Sequence, residues 1–247
     1  MGGSDSRHNV KPITVARPCR VPTGFHFHDD EDLRAAFQAV KRTLMMSVML
    51  TLISHASTRA VRDVAFPMDE PLDPQGRAQA AALAGEIRRV DAAWTSPALR
   101  ARQTADALTL SATVEPALRD IDYGNWSGHS LAEIEASDPD GTAAWLTDCA
   151  AAPHGGESIT DLLGRMASWL GKVGTTEGRI VAVTHPSVIR AVVVVALDAA
   201  PVSFWRIDVG PLCRLRLRGN AGRWTLVSFG AWQRNRTNQE ISNNRSS

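Results

Sequence analysis

Two short apolar runs stand out along the chain because each ends abruptly at a histidine. The first covers residues 49–54 and is followed by His55, and the second covers residues 180–184 and is followed by His185. Continuous apolar runs of this length are typical of parallel strands that are buried on both faces of a sheet. The pattern therefore predicts two buried strands, each with a histidine at its carboxyl end.

Helical segments alternate with these and other short strands. Asp73 and Ser96 each precede a proline suited to the first turn of a helix, so both are expected to act as N-caps. Helices are predicted at residues 74–90, after Pro97, from 158 to about 173 and after Pro186, and further strands at residues 91–95 and 113–118. The alternation predicts an α/β fold, a three-layer α/β/α sandwich with a mostly parallel sheet.

The segment after residue 200 shows a different period. Residues 206–217 and 223–229 alternate between apolar and polar positions around Gly219-Asn220-Ala221-Gly222, which is a hairpin signal. We therefore expect an antiparallel pair of strands at one edge of the sheet.

The two ends of the chain differ from its centre. Residues 1–28 are polar and contain several prolines, which favours disorder, whereas apolar residues recur at helical spacing over about 30–45 and predict an amphipathic helix. The predicted organisation is an N-terminal extension at 1–48, a catalytic domain at 49–232 and a polar tail at 233–247.

Composition and charge narrow the class of protein. The chain has 247 residues, of which 44% are hydrophobic, and a formal net charge of +1. These values suit one large globular domain and give no reason to expect nucleic acid or a membrane as a partner. Three widely spaced cysteines, a polar N-terminus and the lack of a bilayer-length apolar run predict a cytoplasmic protein.

The two histidines give the first indication of chemistry. Because the carboxyl ends of parallel strands share one edge of a sheet, where ligands gather, His55 and His185 are expected to face each other there. One such histidine alone is more often structural, but two at matching strand-to-helix junctions favour a site. A histidine in this position can attack a substrate and form a covalent bond to it.

Four motifs resemble, in order, those of the histidine phosphatase superfamily, the phosphoglycerate-mutase-like proteins. Ser54-His55-Ala56 is similar to the phosphohistidine motif Arg-His-Gly, and residues 96–105 match the phosphate-binding signature Ser-Pro-x-x-Arg-Ala-x-Gln-Thr-Ala through Arg100. Residues 120–128 resemble Glu-x-x-x-Gly-x-Trp-Glu-Gly, with Asp120 at the proton-donor position. Residues 184–190 resemble the second histidine motif around His185, in which the usual Gly-Gly is here Pro186-Ser187. The resemblance implies a phosphoglycerate-mutase-like fold over about residues 49–232.

The same resemblance implies a metal-independent phosphomonoesterase that acts on a small phosphorylated metabolite. His55 would attack phosphorus as the neutral imidazole, while Arg100 and His185 hold the phosphate oxygens. Asp120 would protonate the leaving alkoxide and then deprotonate the attacking water, with Asp122 as a competing candidate for this role. Cationic side chains neutralise the phosphate in this chemistry, so neither a metal nor a cofactor is expected.

The chain departs from the family pattern beside the nucleophile. Ser54 replaces an arginine that contacts phosphate, a loss of about 2–4 kcal/mol of transition-state stabilisation, or about a hundred- to a thousandfold in rate. Arg59 or Arg62, in the following loop, is a candidate to restore the charge and bind phosphate. The alternative is that both arginines are simple surface residues, and we weigh the two interpretations equally.

Two other functions stay open at this point. The replacements at Ser54, Ala56 and Asp120 suit a catalytically weakened protein that binds phosphorylated ligands or a protein partner. A phosphoglycerate mutase is the third option, although the short interval between Asp120 and His185 favours an open site and hydrolysis. The oligomeric state is open, with a homodimer as one option.

Overall fold

A six-stranded mixed sheet lies at the centre of the computed structural model, which describes residues 47–220 and 222–232. Its strands in chain order are β1 (Ser47–Ser54), β2 (Ala92–Thr95), β3 (Thr113–Val114), β4 (Gly178–Thr184), β5 (Cys213–Asn220) and β6 (Arg223–Ala231). They are arranged in space as β3-β2-β4-β1-β5-β6. The first four are parallel, and β5 and β6 form an antiparallel edge. The predicted sheet is confirmed, while the extension and tail predicted at the two ends fall outside the described residues.

Helices cover both faces of this sheet. In the described part of the chain they are α1 (Arg59–Asp63), α2 (Pro74–Ala82), α3 (Leu99–Ala107), α4 (Leu131–Ser137), α5 (Pro139–Thr147), α6 (Ile159–Val173) and α7 (Pro186–Ala196). Leu50 and Leu52 of β1 belong to the core formed with α6 and α7, whereas Ile53 belongs to the core formed with α2 and α3. Because successive strand side chains point to opposite faces, β1 contributes to both cores, and the predicted three-layer sandwich is confirmed.

Three predicted element boundaries are wrong. Strand β3 ends at Val114 rather than residue 118, because residues Pro116–Leu118 form a 3-10 helix. Helix α2 ends at Ala82 rather than near residue 90, and Gly85 just beyond it has a φ of +75°, which a continuing helix does not allow. The first strand of the hairpin begins at Cys213 rather than residue 206, because residues Pro201–Arg206 form a 3-10 helix instead. None of these boundary changes affects the order of strands in the sheet.

The start of α2 fixes the loop that follows β1. Asp73 caps the helix through a hydrogen bond that its Oδ1 accepts from the Gly76 amide at 2.6 Å, and its Oδ2 accepts one from the Ser57 hydroxyl at 2.8 Å. A Cβ on Gly76 would lie 2.3 Å from the Ser57 carbonyl oxygen, so a side chain there would push the loop away. The segment just after His55 is therefore held against the N-terminus of α2.

None of the helices in the described ranges combines the length and the apolar character needed to cross a membrane.

Candidate active site

The two predicted histidines meet at the carboxyl edge of the sheet. Ser54 and Thr184 are register partners at the ends of β1 and β4, and the His55 amide donates to the Thr184 carbonyl at 2.8 Å. The ring centroids of His55 and His185 are 5.3 Å apart, with the planes inclined by 64°. Both residues are buried, so the imidazoles face each other in a site largely removed from bulk water.

The hydrogen bonds of His55 determine which ring nitrogen is free. Its Nδ1 lies 2.8 Å from the carbonyl oxygen of Ala56, and because a carbonyl only accepts, Nδ1 carries the proton. Burial, followed by the proximity of His185 and Arg100, lowers the pKa of His55 to about 3. The ring is therefore neutral near pH 7, with an unprotonated Nε2 that can act as a nucleophile.

Arg100 and Asp120 form a buried ion pair in the same site. The Arg100 Nη2 donates to Asp120 Oδ2 at 2.7 Å, and its Nη1 donates to the Met68 carbonyl oxygen at 2.9 Å. The Arg100 Nε is buried and has no hydrogen-bond partner within the described residues. Nη1 and Nη2 each donate one hydrogen bond here, so Arg100 keeps N–H groups besides that of Nε that bind none of the described residues.

Three groups surround the carboxylate of Asp120. Besides Arg100, the Ser187 hydroxyl donates to Oδ1, and His185 Nδ1 lies 3.2 Å from Oδ2 without the alignment of a hydrogen bond. Burial favours the protonated acid, but His185, Arg100 and the Ser187 hydrogen bond outweigh it and hold the pKa of Asp120 well below its ordinary value. Asp120 is therefore ionised in the free protein.

His185 is held from its other side by Ser96. The Ser96 hydroxyl and His185 Nε2 are 2.7 Å apart, and burial lowers the pKa of His185. Ser96 was expected to cap α3, but that helix has Ala98 as its N-cap and no side-chain capping bond. The serine hydroxyl accepts from the Ala98 amide at 3.2 Å just before the helix and at the same time orients the ring of His185.

An ion pair behind the site anchors the segment that carries Asp120. Arg165 of α6 donates to both carboxylate oxygens of Glu157, from Nε at 2.8 Å and from Nη2 at 2.6 Å. Its Nη1 also donates to the carbonyl oxygens of Ala117 at 2.7 Å and Arg119 at 2.9 Å. The backbone just before Asp120 is therefore fixed to α6.

The serine that replaces the motif arginine has a structural contact of its own. Its hydroxyl donates to the Gly210 carbonyl oxygen at 2.6 Å and accepts from the Cys213 amide at 2.9 Å. Ser54 is fully buried, and these hydrogen bonds connect the end of β1 to the start of β5. Ala56 is not among the residues with positive φ, so an alanine is accommodated there without backbone strain.

Neither Arg59 nor Arg62, the two candidates to replace the motif arginine, lies at this site in the structure. Arg59 pairs with Asp63 at 3.0 Å and its side chain is 83% exposed, while Arg62 lies 3.4 Å from Asp73 and is 55% exposed. Each arginine has a carboxylate partner close by on the outer surface, which draws it away from His55. The competing acid Asp122 is also exposed, and its carboxylate accepts from the Gly124 amide in a turn.

A cavity of about 130 Å³ opens beside His55 and Asp120. Its lining includes four residues that sequence reasoning did not assign to the site: Tyr123, Ser187, Arg190 and Trp205. Trp145 also lines it, whereas Trp126 and Trp169 are core residues. The signal for Ser187 and Arg190 was their spacing after His185, which places them three residues apart on one face of α7.

No cluster of three or more His, Cys, Asp or Glu side chains suited to a metal ion occurs among the residues that the structure describes.

Comparison with known proteins agrees with this arrangement. A bifunctional protein of Mycobacterium tuberculosis is 33% identical over 147 residues, which is 56% of this chain and 40% of that protein. A glucosyl-3-phosphoglycerate phosphatase of Mycobacterium tuberculosis is 32% identical over 175 residues, covering 67% of this chain and 77% of the relative. The solved native structure of a mycobacterial glucosyl-3-phosphoglycerate phosphatase superposes with a TM-score of 0.67 at 25% identity, over 75% of this chain and all of that one.

The chain thus spans two fifths of the length of the first curated relatives it matches. A sequence model of the histidine phosphatase superfamily (branch 1) matches residues 50–231, which include both histidines, Arg100 and Asp120. The fold, the order of the motifs and this match agree, and the chain belongs to branch 1 of the histidine phosphatase superfamily.

Proposed function

We propose that the protein is a metal-independent phosphomonoesterase that hydrolyses a small phosphorylated metabolite through a phosphohistidine on His55. The observation that carries the proposal is the hydrogen bond from His55 Nδ1 to the Ala56 carbonyl, which leaves Nε2 as a neutral nucleophile. The relatives that are named as phosphatases of small metabolites support the same reaction class.

In the first step, His55 Nε2 attacks phosphorus and the bond to the leaving oxygen breaks. Asp120 supplies the proton that the leaving alkoxide needs. The Asp120 carboxylate is ionised in the free protein, partly because of its ion pair with Arg100. A phosphoryl group bound to Arg100 weakens that ion pair. Substrate binding therefore raises the pKa of Asp120 and allows it to take up the proton that it then donates.

In the second step, water attacks the phosphohistidine and the N–P bond breaks. Asp120, now ionised again, accepts a proton from this water, and inorganic phosphate leaves with His55 returned to its neutral form. Charge on the phosphate oxygens is met by Arg100, by His185 and by the N-terminus of α7, which begins directly after His185. Cationic and dipolar groups of the chain thus supply the electrostatic stabilisation.

The test is release of inorganic phosphate from a panel of small phosphomonoesters, with His55→Ala as the variant. Loss of the nucleophile is expected to reduce kcat by at least about a thousandfold, and a rapid acid quench of the wild-type protein should trap acid-labile phosphate on His55. Turnover that His55→Ala leaves unchanged would contradict the proposal. A phosphoglycerate in the panel should yield free phosphate, and formation of its isomer would indicate a mutase instead.

A second candidate is a catalytically weakened protein that binds phosphorylated ligands. It is favoured by Ser54, whose hydroxyl is committed to the backbone of residues 210 and 213 where the family pattern has a phosphate-binding arginine. Calorimetric binding of phosphomonoesters without phosphate release or trapped phosphohistidine would support this candidate and overturn the first.

A further inference from the structure

A cation lies in the aromatic part of the cavity beside His55. Arg190 of α7 lines this cavity together with Tyr123, Trp145, Phe204 and Trp205. No carboxylate of the described residues forms an ion pair with it. Since charges in apolar surroundings are normally paired, this guanidinium has the character of a ligand-binding group.

Contacts on one side hold Arg190 in place and leave its outer edge for a ligand. Its Nε donates to the Ile207 carbonyl oxygen at 2.8 Å, and its Cζ lies 5.8 Å from the ring centroid of Phe204. Within the described residues, Arg190 donates through Nε alone, so its two terminal amino groups stay available. A fixed fork of this kind suits a planar group with two acceptor atoms.

Two indole rings line the same cavity beside Arg190. The rings of Trp145 and Trp205 have centroids 4.6 Å apart and are inclined by 76°. Each Nε1 is buried and has no acceptor in the part of the chain that the structure describes, and Trp145 is only 8% exposed. Neither N–H is exposed to the cavity, so the two indoles contribute an apolar wall to it.

The charge of Arg190 decides between two kinds of ligand group. Aromatic cages alone suit an ammonium group, which is attracted to the ring faces. Arg190 would repel an ammonium, whereas an anion pairs with the guanidinium. The cavity of about 130 Å³ is below the roughly 300–1,000 Å³ of pockets for drug-sized ligands, so the ligand is small.

We infer that this part of the cavity is a subsite for a carboxylate carried by the substrate, with Arg190 as the residue that selects it. The inference rests on the proposed phosphatase function of His55. The substrate class is then a short phosphomonoester with an apolar middle and a carboxylate at its far end.

A matched set of substrates tests the subsite. Butyl phosphate, 4-phosphooxybutanoate, butane-1,4-diol bisphosphate and 4-aminobutyl phosphate share one chain and differ in the terminal group. In the wild-type protein, kcat/KM for the carboxylate should exceed that for butyl phosphate by about ten- to a hundredfold, the usual effect of a charge-assisted hydrogen bond. The ammonium substrate should be the poorest, and a preference for the bisphosphate over the carboxylate would assign the subsite to phosphate instead.

The variant Arg190→Gln should bring the ratio of kcat/KM for 4-phosphooxybutanoate to kcat/KM for butyl phosphate close to one. Arg206→Gln, which changes an exposed arginine of the neighbouring 3-10 helix, is the matched control and should keep the preference. The inference is overturned if this ratio is already near one in the wild-type protein, or if Arg190→Gln leaves it unchanged.

A binding arm separates this failure from failure of the proposed function. Calorimetry with 4-phosphooxybutanoate on His55→Ala and on His55→Ala/Arg190→Gln needs no turnover, and the second protein should bind about tenfold more weakly or worse. Weaker binding by the double variant, together with no phosphate release by the wild-type protein from any of the substrates, would support the subsite and contradict the proposed phosphatase activity. Equal turnover of all four substrates, with equal binding by the two variants, would support the phosphatase activity and contradict the subsite.

Discussion

At the scale of single residues, Asp120 and Ser187 compensate for each other. Asp120 is one methylene shorter than the glutamate of the family pattern, and Ser187 replaces a glycine there. The Ser187 hydroxyl donates to Asp120 Oδ1, a contact that a glycine could not make. The two departures from the pattern therefore meet in one hydrogen bond, which holds the shorter acid in the site and favours its ionised form.

Ser187→Ala tests this coupling. Losing a hydrogen bond to a charged group costs that group about 1.5–3 kcal/mol, which corresponds to a rise of about one to two units in the pKa of Asp120. The limb of the kcat profile that requires protonated Asp120 should therefore move to higher pH with an alkyl phosphate as substrate. Ser187→Thr keeps the hydroxyl and should retain the wild-type profile, whereas an unmoved limb in Ser187→Ala would contradict the assignment.

At the scale of elements, the segment before Asp120 depends on a contact with α6. Arg165 binds both oxygens of Glu157 and two backbone carbonyls next to Asp120. Glu157 is 9% exposed, so its charge is costly without this partner. Stability and catalysis should therefore respond together when the contact is removed.

We expect Arg165→Ala to lower the free energy of unfolding by about 3 kcal/mol, since it leaves a buried carboxylate with only the longer contact to Arg119. The kcat should fall as well, because Asp120 loses its anchor. Urea denaturation and phosphate release measure the two effects. The double variant Arg165→Ala/Glu157→Gln should recover part of the stability, and a loss below about 1 kcal/mol in the single variant would show that the pair is dispensable.

An element could be predicted where the interactions that determine it are local in sequence, and not where they involve distant residues. Strands β1 and β4 were predicted because burial on both faces imposes a continuous apolar run. The cap of α3 was not, because the helix begins at Leu99 and the Ser96 hydroxyl lies between the Ala98 amide and His185, which is 89 residues further along the chain. A local capping rule cannot register a competing partner that only the folded sheet brings close.

At the scale of the whole molecule, the sheet topology explains which site residues could be predicted. His55, His185, Arg100 and Asp120 lie within motifs that end strands or begin helices, and the fold brings them together. Arg59 and Arg62 were chosen for nearness in sequence alone, and local carboxylates hold them outside. Arg190 was missed because its role depends on aromatic residues from three other segments of the chain.

Burying neutral histidines also makes the stability of the whole fold depend on pH. The pKa of His55 is about 3 in the folded protein and 6.5 ordinarily. His55 therefore becomes protonated near pH 6.5 in the unfolded chain but stays neutral at that pH in the folded protein. Stability that is present above pH 6.5 is therefore lost as the pH falls towards 3, by about 1.4 kcal/mol per pH unit for this group.

Urea denaturation between about pH 7 and about pH 5 isolates this effect, since Asp120 titrates only at lower pH. His55→Gln places an amide that does not titrate at the same position, and over this range its stability should fall less steeply by an average of about 1 kcal/mol per pH unit, because the unfolded histidine is only partly protonated near pH 6.5. Burial lowers the pKa of His185 and His154 as well, but both remain in the variant and cancel in the comparison. Equal slopes for the two proteins would mean that His55 is solvated and charged in the folded state, which would also remove the neutral nucleophile from the proposed mechanism.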